Sequence, residues 1–104
     1  MANLEDKLKE LKKWYLEKLE GLALSFKSLL KSVEKIDLDD LYSKVHTISG
    51  TSGMYGLNGL SDISTEFEIY LKTIKNNPKL IKKEELKEKL LQYTQSIEKV
   101  VAGD

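Results

Sequence analysis

Apolar residues recur three and four positions apart along almost the whole of this 104-residue chain, which is the spacing of helices that bury one face. One proline interrupts the pattern, and hardly any segment alternates polar and apolar residues as a strand does. The pattern predicts four helices, over about 3–35, 38–55, 57–76 and 82–102. Joined by short connections, they are expected to form an all-α, up-and-down antiparallel four-helix bundle with a long N-terminal helix.

Trp14 and Tyr15 of the first helix are expected in the core of this bundle rather than on a contact surface.

Three aspartates mark the start of the second predicted helix. Asp37 fits the N-cap, and Asp39 and Asp40 then lie in the first turn, where the helix dipole favours negative charge. The same three residues resemble a set of metal ligands, but they lack the spacing and the glycine of a calcium loop. Capping therefore explains them, and no metal site is predicted.

Charge and composition exclude several classes of partner. Lys plus Arg and Asp plus Glu both number 17, so no net field attracts nucleic acid or an acidic membrane. The absence of cysteine excludes disulfides, thiolate chemistry and zinc sites of the cysteine type. The first residues lack the apolar core of a signal peptide, which favours a cytoplasmic protein. At this length one domain, spanning 1–104, is expected.

His46 is the only histidine, and the residues around it are small. An imidazole nitrogen is a nucleophile near neutral pH. On a helix, Leu41, Val45 and Ile48 share the buried side, while His46 points about a quarter to a third of a turn away from its centre. We therefore expect His46 at the rim of the bundle or in solvent. Its neighbours on the helix are Tyr42, Ser43, Ser49, Gly50 and Gly53.

The segment from Tyr42 to Glu68 resembles the phosphorylation motif of histidine-containing phosphotransfer (HPt) domains, which are four-helix bundles that relay phosphoryl groups in two-component signalling. In that motif the histidine is followed at set distances by a hydrophobic residue, a glycine, small residues, a second glycine and a leucine. Phe67 with Glu68 fits the aromatic residue and glutamate that often close the motif on the third helix. The other matching residues are His46, Ile48, Gly50, Thr51, Ser52, Gly56 and Leu60.

The resemblance implies reversible phosphoryl transfer between a nitrogen of His46 and an aspartate of a receiver domain. The implied partners are the receiver domain of a response regulator, a histidine kinase, or both. Mg²⁺ would be held by the partner, and this chain would bind no metal or cofactor of its own. The protein is then a relay without turnover of its own, not an enzyme, and it is expected to be a monomer. The implied docking surface around the histidine consists of Tyr42, Ser43, Ser49, Gly50 and Gly53.

Two features leave alternatives open. Many HPt domains have a lysine three positions after the histidine, where its charge meets the phosphate, whereas this chain has Ser49. The charge must then come from elsewhere, such as Lys44 or the partner, or else the chain is a helical docking module that kept the fold and lost the chemistry. Gly50 fits a docking role better than close helix packing, and for Gly53 the two interpretations are evenly balanced.

Overall fold

The computed structural model describes residues 3–103, and within that range it contains helices and no strand. The four α-helices are α1 (Leu4–Leu29), α2 (Leu38–Met54), α3 (Asn58–Asn76) and α4 (Lys83–Ala102). Short 3₁₀ turns, Val33–Lys35 and Pro78–Leu80, lie before α2 and α4. Helix α3 packs closely on α2, and α4 packs on α1. The predicted all-α helical bundle is confirmed.

Local side-chain bonds explain where two of the helices begin. The Asn3 side chain accepts a hydrogen bond from the Asp6 N–H at 2.9 Å and caps α1. The Asp37 side chain accepts from the Asp40 N–H at 3.1 Å and caps α2, as predicted. Both caps satisfy an N–H group that has no partner inside its own helix. The helix that carries His46 therefore starts at a position that its own sequence specifies.

The predicted end of the first helix at residue 35 is wrong, because α1 stops at Leu29. Ser32 has φ −147° and ψ 68°, outside the helical region, and Val33 reaches the core from a separate 3₁₀ turn. A helix extending to residue 35 would leave only residues 36 and 37 to join it to α2, at the short end of the roughly 2–8 residues usual for helix connections. The apolar spacing continues past Leu29 to the buried Val33, so the spacing by itself does not mark the end of the helix.

The start of α1 extends beyond the core. Its first buried side chain is Tyr15, and Trp14 is 51% exposed, so the expectation of a core role is confirmed for Tyr15 and wrong for Trp14. Apolar residues before these two are also exposed, namely Leu4, Leu8 and Leu11. Helical spacing alone does not show where the neighbouring helices end, and here α2 ends beside Tyr15, whose ring stacks on Tyr55.

Two buried tyrosines attach the outer helices to the central pair. The Tyr15 hydroxyl of α1 lies 2.9 Å from Ser52 Oγ of α2. The Tyr93 hydroxyl of α4 lies 2.7 Å from Ser64 Oγ of α3. Both serines are fully buried, so each hydroxyl has a partner in place of water. These bonds define how α1 and α4 are oriented on α2 and α3. The apolar core around them includes Leu19, Phe26, Leu41, Val45, Ile48, Leu60, Phe67, Leu71, Leu90 and Ile97.

None of the helices in residues 3–103 has the length and the apolar content needed to cross a membrane.

The burial of Tyr93 predicts a loss of stability in alkali. Burial raises the pKa of Tyr93 well above its ordinary value of 10.0, and the hydrogen bond with Ser64 opposes this shift in part. Above pH 10 the unfolded chain therefore loses a proton that the folded chain keeps, so the free energy of unfolding should fall as pH rises. In Tyr93→Phe the fall between pH 10 and 12 should be shallower, by up to about 1.4 kcal/mol per pH unit toward pH 12. Urea denaturation followed by circular dichroism measures both slopes, and equal slopes would contradict the assignment.

Candidate functional site

His46 lies on the outer side of α2. Its side chain is 67% exposed, whereas Val45 and Ile48 beside it on the same helix are buried in the core. The exposed position agrees with the helical angle derived from the sequence. The imidazole is therefore accessible to a partner molecule.

The two glycines that follow His46 have different surroundings. A Cβ atom built at Gly50 would have no heavy atom within 4 Å apart from the backbone of its own helix, so the space one turn after the histidine is open. A Cβ atom at Gly53 would lie 3.4 Å from Ser61 Oγ of α3. Gly53 therefore faces α3 at contact distance, which favours the packing interpretation for this residue. Ser43, one turn before His46, is exposed like Gly50.

Glu68 of α3 contacts the imidazole directly. His46 Nδ1 lies 2.6 Å from Glu68 Oε1, and the carboxylate is only 17% exposed. An ionised carboxylate only accepts hydrogen bonds, so this geometry assigns the proton to Nδ1. No side chain or backbone group of residues 3–103 makes a hydrogen bond to Nε2. The nitrogen that keeps a free lone pair is therefore Nε2.

Tyr42 adds a second bond to the same carboxylate. Its hydroxyl donates to Glu68 Oε1 at 3.3 Å, and its ring lies nearly parallel to the imidazole, with centroids 6.1 Å apart. The Lys75 ammonium lies 4.8 Å from the centre of the Tyr42 ring and also pairs with Asp39. The sequence included Glu68 in the motif but did not predict its contact with His46. The signal available was the antiparallel order of the second and third helices, which brings α3 back past His46.

Ser49 takes part in bonds between two helices. Ser49 Oγ lies 2.7 Å from Thr65 Oγ1, and Ser61 Oγ donates to the Ser49 carbonyl at 2.8 Å. Thr65 Oγ1 in turn donates to the Ser61 carbonyl at 3.0 Å. We call this group of Ser49, Ser61 and Thr65 the hydroxyl cluster. It holds α2 against α3 one turn after His46, where the resemblance had implied a docking role for Ser49.

Comparison with known proteins identifies the family. A family model of the Hpt domain matches residues 8–103. The chain belongs to the Hpt family. The match indicates a phosphotransfer role in two-component signalling, in which Hpt domains interact with kinases and receiver domains and act as carriers rather than catalysts. No curated protein and no solved structure matches the chain.

A groove borders the histidine of this Hpt domain on the side facing α1. Its volume is about 380 Å³, and Ser43 and Thr47 of its α2 wall are close neighbours of His46 on the helix. Trp14, which is half exposed, lines this groove. The sequence interpretation missed this surface because it placed Trp14 in the core. The groove is lined by Trp14, Lys18, Leu22, Ser43, Lys44, Thr47 and Thr51, among others.

The acidic residues at the start of α2 have local partners. Asp37 caps the helix, Asp39 pairs with Lys75, and Asp40 pairs with Lys44 at 2.9 Å. No group of three or more side chains suited to holding a metal ion occurs in the part of the chain that the structure describes. Lys44, which the sequence offered as a source of charge in place of the missing lysine, is thus engaged by Asp40 and borders the groove.

The hydroxyl cluster predicts that Ser49 matters for stability rather than for transfer. Ser49→Ala should lower the free energy of unfolding by about 1 kcal/mol, because Thr65 loses its bonding partner across the helices. The rate of phosphoryl transfer should stay unchanged. Urea denaturation and a transfer assay with a phosphorylated receiver measure the two effects.

Ser96→Ala is a matched control, because the Ser96 hydroxyl bonds only to the Gln92 carbonyl within its own helix. It should cost less stability than Ser49→Ala. A slow transfer with normal stability in Ser49→Ala would instead make Ser49 a phosphate contact.

Proposed function

We propose that His46 accepts a phosphoryl group on Nε2 and exchanges it with an aspartate of a receiver domain. The observation that carries this proposal is the 2.6 Å contact between Nδ1 and Glu68 on a side chain that is 67% exposed. This contact leaves Nε2 with a free lone pair, and the exposure gives a partner access to the ring. A solvated surface histidine without such a partner would carry its proton on either nitrogen.

The transfer step balances with the groups that these two proteins supply. The Nε2 lone pair attacks phosphorus, a P–N bond forms, and the P–O bond to the receiver aspartate breaks with release of its carboxylate. The Nδ1 proton stays in place, so the phosphorylated ring is a cation, and Glu68 lies against that proton. The reverse step returns the phosphoryl group to an aspartate. Such transfer depends mainly on alignment and on the neutralisation of charge.

The docking surface of the proposed complex extends from His46 in two directions. Gly50 provides open space on one side, and the groove with the exposed Trp14 ring continues on the other. Lys18 borders that groove, and its charge suits a partner whose phosphate-binding site is acidic. In this arrangement Mg²⁺ and the groups that hold the phosphate belong to the receiver or kinase. A cytoplasmic location and a monomeric chain remain predictions.

Phosphorylation of the purified chain tests the proposal. Incubation with a cognate kinase and labelled ATP, or with a phosphorylated receiver, should give a label that is stable in alkali and labile in acid, as expected of phosphohistidine. His46→Gln should abolish the label. Its circular dichroism spectrum should match that of the wild type, because the ring is exposed.

Label that persists in His46→Gln would disprove the assignment of His46. Absence of label with every partner would support the docking module that the sequence left as an alternative. That alternative rested on Ser49, and the hydroxyl cluster gives Ser49 a structural role in either case.

Gly50 provides a second test, directed at the docking surface. Gly50→Leu should reduce transfer by at least about tenfold, because a large side chain beside the histidine displaces the partner from its aligned position. The free energy of unfolding should stay the same or rise by up to about 1 kcal/mol, since glycine inside a helix is unfavourable. Transfer kinetics and urea denaturation report the two quantities.

Gly21→Leu is a matched control, because Gly21 is also exposed within a helix and a Cβ there meets no atom within 4 Å. It should gain the same helix stability and transfer at the normal rate. If Gly50→Leu unfolds the chain, the docking explanation for this glycine is wrong.

A further inference from the structure

Tyr42 and His46 share one acceptor atom on the neighbouring helix. The two residues are one turn apart on α2, and both reach Oε1 of Glu68 on α3. Among residues 3–103, they are the side-chain donors to this carboxylate. We propose that Tyr42 is a positioning residue, which holds Glu68 in place and thereby determines which nitrogen of His46 acts as the nucleophile. This inference rests on the proposed transfer to His46 and assigns a further residue to it.

The position of Glu68 matters because an imidazole has two tautomers. In water the proton of a neutral imidazole prefers Nε2, which would remove the lone pair that the transfer needs. The bond from Nδ1 to the carboxylate reverses this preference only while the carboxylate stays in reach. A glutamate side chain has several rotatable bonds, and one bond to an exposed histidine restrains it weakly. A second donor on the same oxygen adds the missing restraint.

Tyr42 is suited to this role because its own position is fixed. Its side chain is half-buried, and the Lys75 ammonium lies 4.8 Å from the centre of its ring. Lys75 is ion-paired with Asp39 in the first turn of α2. The contacts therefore run from Asp39 through Lys75 and Tyr42 to Glu68. The contact with Lys75 fixes the Tyr42 ring and with it the hydroxyl, and the hydroxyl bond restrains the Glu68 carboxylate.

This role differs from the docking role that the sequence implied for Tyr42. A residue that only contacts the receiver changes the receiver concentration at half-maximal rate. A residue that positions the nucleophile changes the maximal rate and the proton distribution on the imidazole, and it leaves the half-saturating concentration unaltered. Tyr42→Phe separates the two roles, since it keeps the ring and removes only the hydroxyl.

Nuclear magnetic resonance of the full chain, labelled with ¹⁵N in histidine, tests the proposal without any phosphorylation. Because His46 is the only histidine, its two ring nitrogens give the only ring signals. At a pH where titration of the ring shows it to be neutral, the wild type should carry its proton mainly on Nδ1. Tyr42→Phe should move the proton distribution toward Nε2, and Glu68→Ala should move it further. Lys75→Met should give a smaller change in the same direction.

Tyr55→Phe is the matched control, because this tyrosine stacks on Tyr15 at the end of α2, away from the histidine. Its tautomer signals should equal those of the wild type. In the transfer assay, Tyr42→Phe should lower the maximal rate roughly threefold to tenfold, the range expected for one lost hydrogen bond, at an unchanged half-saturating receiver concentration.

Unchanged tautomer signals in Tyr42→Phe would overturn the positioning role, and so would a normal maximal rate with a raised half-saturating concentration. These outcomes leave the proposed phosphorylation of His46 intact. Failure of the chain to accept phosphate would overturn the proposed function instead, while the tautomer experiment would still decide what Tyr42 does to the ring.

Discussion

The close contact between α2 and α3 is the constraint on which the rest of the structure depends. Gly53 faces Ser61 of α3 near the turn between the helices, where an added Cβ would lie 3.4 Å from Ser61 Oγ. One turn closer to His46, the hydroxyl cluster adds hydrogen bonds between the partly buried Ser49 and Ser61 and the exposed Thr65. At this separation Glu68 reaches an imidazole on the opposite helix. A wider spacing would leave both the carboxylate and the ring to water, and the histidine would lose its defined tautomer.

The outer helices are joined to this pair by a different kind of contact. Tyr15 and Tyr93 each insert a large ring into the core and satisfy the hydroxyl with a buried serine, Ser52 or Ser64. An unpaired hydroxyl at either place would cost free energy, so these bonds select one orientation of α1 and of α4. The bundle is thus apolar inside, with a few paired hydroxyls, and its exposed α2–α3 edge is polar. The chemistry proposed for the protein lies at that polar edge.

Much of the fold and part of the site could be predicted from the sequence, because both depend on helical periodicity. The Asp37 cap, the burial of Val45 and Ile48 and the exposure of His46 depend on the neighbours of each residue along one helix. The wrong predictions concern the burial of Trp14 and the end of α1, which both depend on contacts with other helices. Trp14 has the spacing of an apolar stripe, but no neighbouring helix covers it, and it is exposed. The α1 helix fits an extension to residue 35, but the chain must turn toward α2.

The sequence by itself determined the helix type, the caps and the side of α2 on which His46 lies, because these follow from the 3.6-residue turn and from local hydrogen bonding. Only the tertiary structure decided what touches that histidine. The bonds from His46 to Glu68, from Tyr42 to Glu68, and between Ser49 and Thr65 join residues 16 to 26 positions apart. Such contacts depend on the spacing and register of two packed helices, and neither quantity is encoded in the periodicity of one of them.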